Sequence, residues 1–160
     1  MSNLLVEGIA RPSEGVVRLR VQLPVPTDAA WSALTQPCEL GEWLGRVEGK
    51  VAEGEHFVIW HDEETPSQHE VIGWDPGRHL ELTWDFPGEN VSRVLFGLVP
   101  DVGTTQLVLV HHVADPISYA AGWHRHLEYL AAHLAAESMD AKDFWTGHDD
   151  LVGRYTATAQ

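Results

Sequence analysis

An α+β domain, with one long helix laid across a curved antiparallel sheet of about seven strands and two short helices at one end, is the fold this sequence predicts. Three observations carry the prediction. Residues 17–24, VRLRVQLP, alternate apolar and polar side chains with period two, as a half-buried strand does. Between residues 46 and 113 six strand-like segments follow one another through short turns, without the crossover helices that parallel pairing needs. Residues 116–137, PISYAAGWHRHLEYLAAHLAAE, form an unbroken amphipathic stretch, the only element large enough to cover one face of such a sheet.

The elements follow in order. Residues 1–16 are polar and are expected to be an N-terminal extension, with the domain proper over 17–137. In the first strand Val17, Leu19, Val21 and Leu23 share a face, and Pro24 and Pro26 end it. Thr27 is expected to cap a short helix carrying Ala30, Trp31 and Leu34 at helical spacing. Pro37 suits the first turn of a second short helix, PCELGEWLG, which Gly45 ends. Among the strands that follow, Asp75-Pro76-Gly77 and Pro100-Asp101-Val102-Gly103 are hairpin turns. Asp115 and Pro116 open the long helix as N-cap and first helical residue. Its 22 residues would reach about 33 Å, with Trp123, Leu127, Leu130 and Leu134 in one stripe and Arg125, Glu128 and Ala132 opposite. Residues 138–160 are expected to be a C-terminal extension packed on or near the domain, with a short terminal element in FWTGHDDLVGRY (144–155).

Composition excludes several function classes. There are 24 acidic residues against 10 Lys and Arg, a net charge of −14, which argues against a nucleic-acid partner and against an anionic membrane surface. Cys38 is the only cysteine, so no intrachain disulfide or multi-cysteine zinc site is possible. The opening residues lack a secretory pattern, and no segment approaches the roughly 18 apolar residues of a membrane span, so a cytoplasmic setting is expected. Of the seven tryptophans two precede aspartate, but a spacing of ten residues is far below the roughly 40–45 of a propeller blade. No phosphate-binding glycine loop, nucleophile elbow or dinucleotide fingerprint is present, and no cofactor is expected.

The strand followed by PTDAAWSALTQPCELGEWLG resembles the opening of bacterial proteins related to the carboxy-terminal domain of the Hsp90 ATPase activator, within the START/Bet v 1-like helix-grip superfamily. GEHFVIW, VIGWDPGRHLELTW, GTTQLVLVHHV and GWHRHLEYLAAHL continue the resemblance, which runs from about residue 17 to residue 136. It implies a cavity between sheet and long helix that takes an apolar or amphipathic small molecule, as in lipid carriers, metabolite binders and polyketide cyclases. An Hsp90-type chaperone partner is a lesser implication. The eukaryotic activator has a separate amino-terminal docking domain, to which nothing in these residues corresponds.

Strand parity nominates the side chains facing that cavity: Phe57 and Ile59; Leu82 and Trp84 (with Leu80); Phe96 (with Val94 and Leu98); and Leu109 and His111, whose parity competes with that of Val108 and Val110. Trp43 from the second short helix and Tyr119, Trp123, His126 and Leu130 from the long helix complete the candidate ligand-binding set. For each of them plain core packing is the competing reading. The helix histidines do not suit a metal: His126 and His133 stand two turns, or about 10 Å, apart, His124 points elsewhere, and H-E-x-x-H is absent. No metal site and no catalytic residue is assigned. His111 could orient a ligand carbonyl or transfer a proton; otherwise it is a hydrogen-bonded core histidine. HDEET (61–65) and HDD (148–150) read as solvated loop charge. Binding of an apolar or aromatic small molecule is the leading expectation. A chaperone-associated role and a cyclase- or hydrolase-type activity through His111 or His126 are the alternatives, and the choice between monomer and homodimer stays open.

Overall fold

A computed structural model describes residues 5–159. The elements run β1 (Glu7–Arg11), β2 (Val16–Leu23), α1 (Thr27–Thr35), α2 (Pro37–Trp43), β3 (Arg46–Gly49), β4 (His56–Trp60), β5 (Pro66–Asp75), β6 (His79–Trp84), β7 (Ser92–Pro100), β8 (Thr105–His112), α3 (Pro116–Leu134), a 3-10 turn (Ala141–Asp143) and α4 (His148–Thr158). One antiparallel sheet takes the order β1-β2-β8-β7-β6-β5-β4-β3. The meander from β3 to β8 and the return of β8 to β2 match the predicted α+β architecture. The eighth strand is β1, within the segment assigned above to an N-terminal extension; residues 1–4 of that segment lie outside the described residues. It lies flush on β2, and a Cβ on Gly8 would sit 2.0 Å from the carbonyl oxygen of Arg18, so this pairing needs glycine there.

The sequence pattern explains the local structure. In β2 Val17, Leu19, Val21 and Leu23 are buried while Arg18 and Arg20 are exposed. Facing it, β8 buries Thr105, Leu107, Leu109 and His111, which decides the parity that Val108 and Val110 had left open. A register shift between Val71 and Gly73 in β5 sharpens the sheet's bend. Asp115 caps α3 by accepting from the Ser118 N–H, with Pro116 in the first turn. Thr27, expected as a cap, is instead the first residue of α1; Pro26 takes the cap position and no side chain caps that end.

The long helix is shorter than its apolar pattern. It covers 19 residues, or about 28 Å, because Ala136 turns into the left-handed region with φ 57°. The Glu137 N–H then reaches the Ala132 carbonyl and the Ala136 N–H the His133 carbonyl, closing the helix end. Trp123, Leu127 and Leu130 pack inward, with Leu134 at the margin of the core. The opposite face is not open to solvent. It is covered by α4, whose Tyr155 is 1% exposed and hydrogen-bonds through its hydroxyl to His124 Nδ1 at 2.7 Å. Ala132 is therefore buried, and Arg125 and Glu128 pair at 3.3 Å in a half-buried position.

Candidate functional site

Between sheet and helix the interior is filled. Leu34, Leu40, Trp43, Leu44, Phe57, Leu80, Leu82 and Phe96 surround a residual void of only about 10 Å³, too small to hold more than one water. Ile59, Leu109 and Leu130 are fully buried in the packing around it. The open space lies at the N-terminal half of α3, as a cleft of about 460 Å³. One wall is the helix: Ser118, Tyr119, Gly122, Trp123 and His126, at helical spacing. Another is the β4–β5 turn with His61, Asp62 and Thr65, and a third is Trp84 at the end of β6 with Phe86 and Glu89 after it. Trp145 and His148 close the rim from beyond α3. A recess of about 250 Å³ adjoins it across His61, His126 and Trp145, and Trp43 and Phe144 line that recess.

Of the predicted site residues, Trp84, Tyr119, Trp123 and His126 thus line the cleft, and Trp43 lines the recess. Phe57, Ile59, Leu82, Phe96, Leu109 and Leu130 lie in the packed interior. His111 stands directly behind the aromatic wall and is 0% exposed. Its ring meets Tyr119 edge-on at 4.8 Å, and the Trp123 indole N–H donates to its Nδ1 at 3.0 Å. An indole nitrogen only donates, so Nδ1 is bare and the proton sits on Nε2, 2.8 Å from Ser92 Oγ. Burial pushes the His111 pKa down to about 3, so the ring is a neutral pin holding Trp123 in place.

The same bookkeeping applies to the histidines of the cleft. His69, buried under the β4–β5 turn, donates from Nδ1 to the Thr83 carbonyl at 2.9 Å, so its Nε2 must accept from Ser67 Oγ at 2.6 Å. Ser67 Oγ has then given its proton, and it accepts from His61 Nε2 at 2.7 Å. His61 is left with a bare Nδ1, and burial lowers its pKa, with the Asp62 charge acting in the opposite sense. His126 donates from Nδ1 to the Trp43 carbonyl at 2.9 Å, which leaves Nε2 bare; burial lowers its pKa to about 4. The Tyr119 hydroxyl donates to Glu89 Oε1 at 2.6 Å, and burial, then Glu89, raise the tyrosine's pKa. Trp84 Nε1 is buried beside that hydroxyl, toward which its N–H is directed. Asp62 accepts from the Glu64 N–H at 2.8 Å and from Thr65 Oγ1 at 3.0 Å, which hold its carboxyl below the usual range. Among the described residues no three His, Cys, Asp or Glu side chains are grouped to hold a metal ion.

Sequence reasoning missed His61, Asp62, Thr65, Phe86, Glu89, Ser118, Gly122, Trp145 and His148. The signal for some of them was present: two histidine- and acid-rich stretches, HDEET next to Trp60 and HDD near Trp145, the second of which opens α4. Only the tertiary fold brings residues 61–65 and 148 to the same rim.

A long helix closed over a curved antiparallel sheet, with a cleft at the helix's N-terminal half, defines a START/Bet v 1-like helix-grip protein. Within that class the chain belongs to the family described as activator of Hsp90 ATPase homolog 1-like protein, whose model matches residues 24–135. A search of curated proteins finds no match. Among solved structures, CalU16 from Micromonospora echinospora is similar in fold, with TM-score 0.79 and 19% identity over 98% of each chain. The protein encoded by BPP1335 from Bordetella parapertussis is 28% identical, with TM-score 0.71 over 90% of this chain and 86% of its own. MLL2253 from Mesorhizobium loti is 27% identical, with TM-score 0.70 over 78% of this chain and 99% of its own. No helix among the described residues is long and apolar enough to cross a membrane.

Proposed function

We propose that this protein binds a small molecule with an apolar or aromatic body in the cleft between the β4–β5 turn and α3. The observation that carries this reading is the cleft's construction: about 460 Å³ with Trp84, Phe86, Tyr119, Trp123 and Trp145 among its walls, a size within the range of ordinary ligand pockets. Trp145 is 66% exposed although it packs edge-on against Phe144 at 5.0 Å, so a bound aromatic would remove costly apolar surface from water. The rigid parts come from the packed core: Trp123 is pinned by His111, and the helix by α4.

A thermal-shift and native mass-spectrometry survey of naphthalenes, indoles, flavonoids and fatty acids tests the reading. Bicyclic and larger aromatics should raise the melting temperature and bind at one per chain. No shift and no adduct across all four classes would refute it. The family membership supports a second reading, a chaperone-associated role; no co-elution with an Hsp90-type chaperone and no change in its ATPase rate would end that one.

A further inference from the structure

We propose, resting on the binding reading above, that the cleft selects an organic cation: an aromatic or alicyclic body carrying a protonated amine. The lining contains no lysine or arginine. Its charged groups are the carboxylates of Asp62 and Glu89, set on two sides of the opening. The hydrogen bonds that fix the histidines add two further acceptors, His61 Nδ1 and His126 Nε2, both bare in the neutral rings. An ammonium group presents donors only, and each of these four groups accepts. The remaining walls offer the π-faces of tryptophan and tyrosine, which attract cations and gain strength where water is thinned out.

The alternatives fit less well. A carboxylate or phosphate ligand would face two like charges with no cationic side chain to offset them. The Ser118 hydroxyl in the lining is a neutral donor and cannot offset an anion's charge. The chain's net charge of −14 acts in the same direction at longer range.

Three near-isosteric probes separate the cases: 2-naphthylmethylamine, 2-naphthylmethanol and 2-naphthoate, measured by isothermal titration at pH 7.5 in low and high salt. The amine is expected to bind at least tenfold tighter than the alcohol, with the carboxylate weakest. That amine preference should shrink several-fold in high salt, because the carboxylates stand at a solvated rim. Asp62→Asn with Glu89→Gln keeps the acceptor oxygens for Glu64 and Tyr119 and should bring the amine-to-alcohol ratio close to one. Equal binding of alcohol and amine, or a ratio that survives the double substitution, overturns the cation proposal while leaving the cleft a binding site. If none of the three binds, the binding reading itself falls and the cation proposal falls with it.

Discussion

Gly122 gives a direct handle on the cleft. It stands in the seventh position of a 19-residue helix, with φ outside the left-handed region, and a Cβ placed on it meets nothing within 4 Å. Glycine in a helix interior costs about 0.8–1 kcal/mol relative to alanine, through backbone entropy alone. With no clash to offset it, Gly122→Ala should stabilise the protein by about that amount, or roughly 2–4 °C in melting temperature for a chain of this size. Gly122→Leu should retain most of that gain, because leucine is also a strong helix former, while its isobutyl group fills the space between Tyr119, Trp123 and the β4–β5 turn. Thermal unfolding by circular dichroism measures the first effect. Titration with any aromatic that binds the wild type measures the second, and the affinity should fall at least tenfold. A lower melting temperature for Gly122→Ala would show that the position does not face open space. Unchanged ligand affinity in Gly122→Leu would place the binding site elsewhere.

Acid should unfold this protein earlier than its carboxylates alone would. His69, His111, His124 and His126 are neutral in the fold, with pKa values lowered by desolvation to about 4, 3, 4 and 4 from 6.5. The unfolded chain therefore takes up about four protons that the folded chain cannot. Stability is fully present above pH 6.5 and falls by up to about 5 kcal/mol per pH unit as pH drops from there toward 4. An acid-unfolding midpoint between those values in circular dichroism is expected, and a protein still folded with unchanged denaturant midpoint at pH 4 would contradict it. Tyr155→Phe removes the partner of buried His124 and should cost about 1–3 kcal/mol in urea unfolding; a change under about 0.5 kcal/mol would mean that α4 is held by packing alone. Trp145→Ala should leave stability within about 0.5 kcal/mol, since the side chain is mostly exposed, yet weaken aromatic ligands about tenfold. Unaltered affinity would remove Trp145 from the site.

Legibility differed between fold and site for a physical reason. The alternation of Val17, Leu19, Val21 and Leu23, the turn residues Pro76-Gly77 and the Trp123–Leu130 stripe are local patterns, and each fixes its own element. The Asp115-Pro116 start of α3 was visible for the same reason. Tyr119, Trp123, His126 and Trp84 could be nominated because they share faces that a covering helix and a sheet turn toward one another. How deeply the interior fills was not visible, because residual space is a small difference between large volumes set by every side chain together.

By itself, then, the sequence determined the order of elements from β2 to α3, the antiparallel meander, the inward stripe of the long helix and the family, but not the edge strand β1. The tertiary structure alone decided that α4 buries the helix's second face, that His111 stands buried behind Trp123 and accepts from its indole N–H, and that the cleft opens beside His61, Asp62 and Glu89. The first two depend on contacts between separate elements, Tyr155 with His124 and Trp123 with His111, and the third on residues as far apart as Asp62 and His148 meeting at one rim. Chain pattern encodes which surface an element buries; only packing decides what stands across from it.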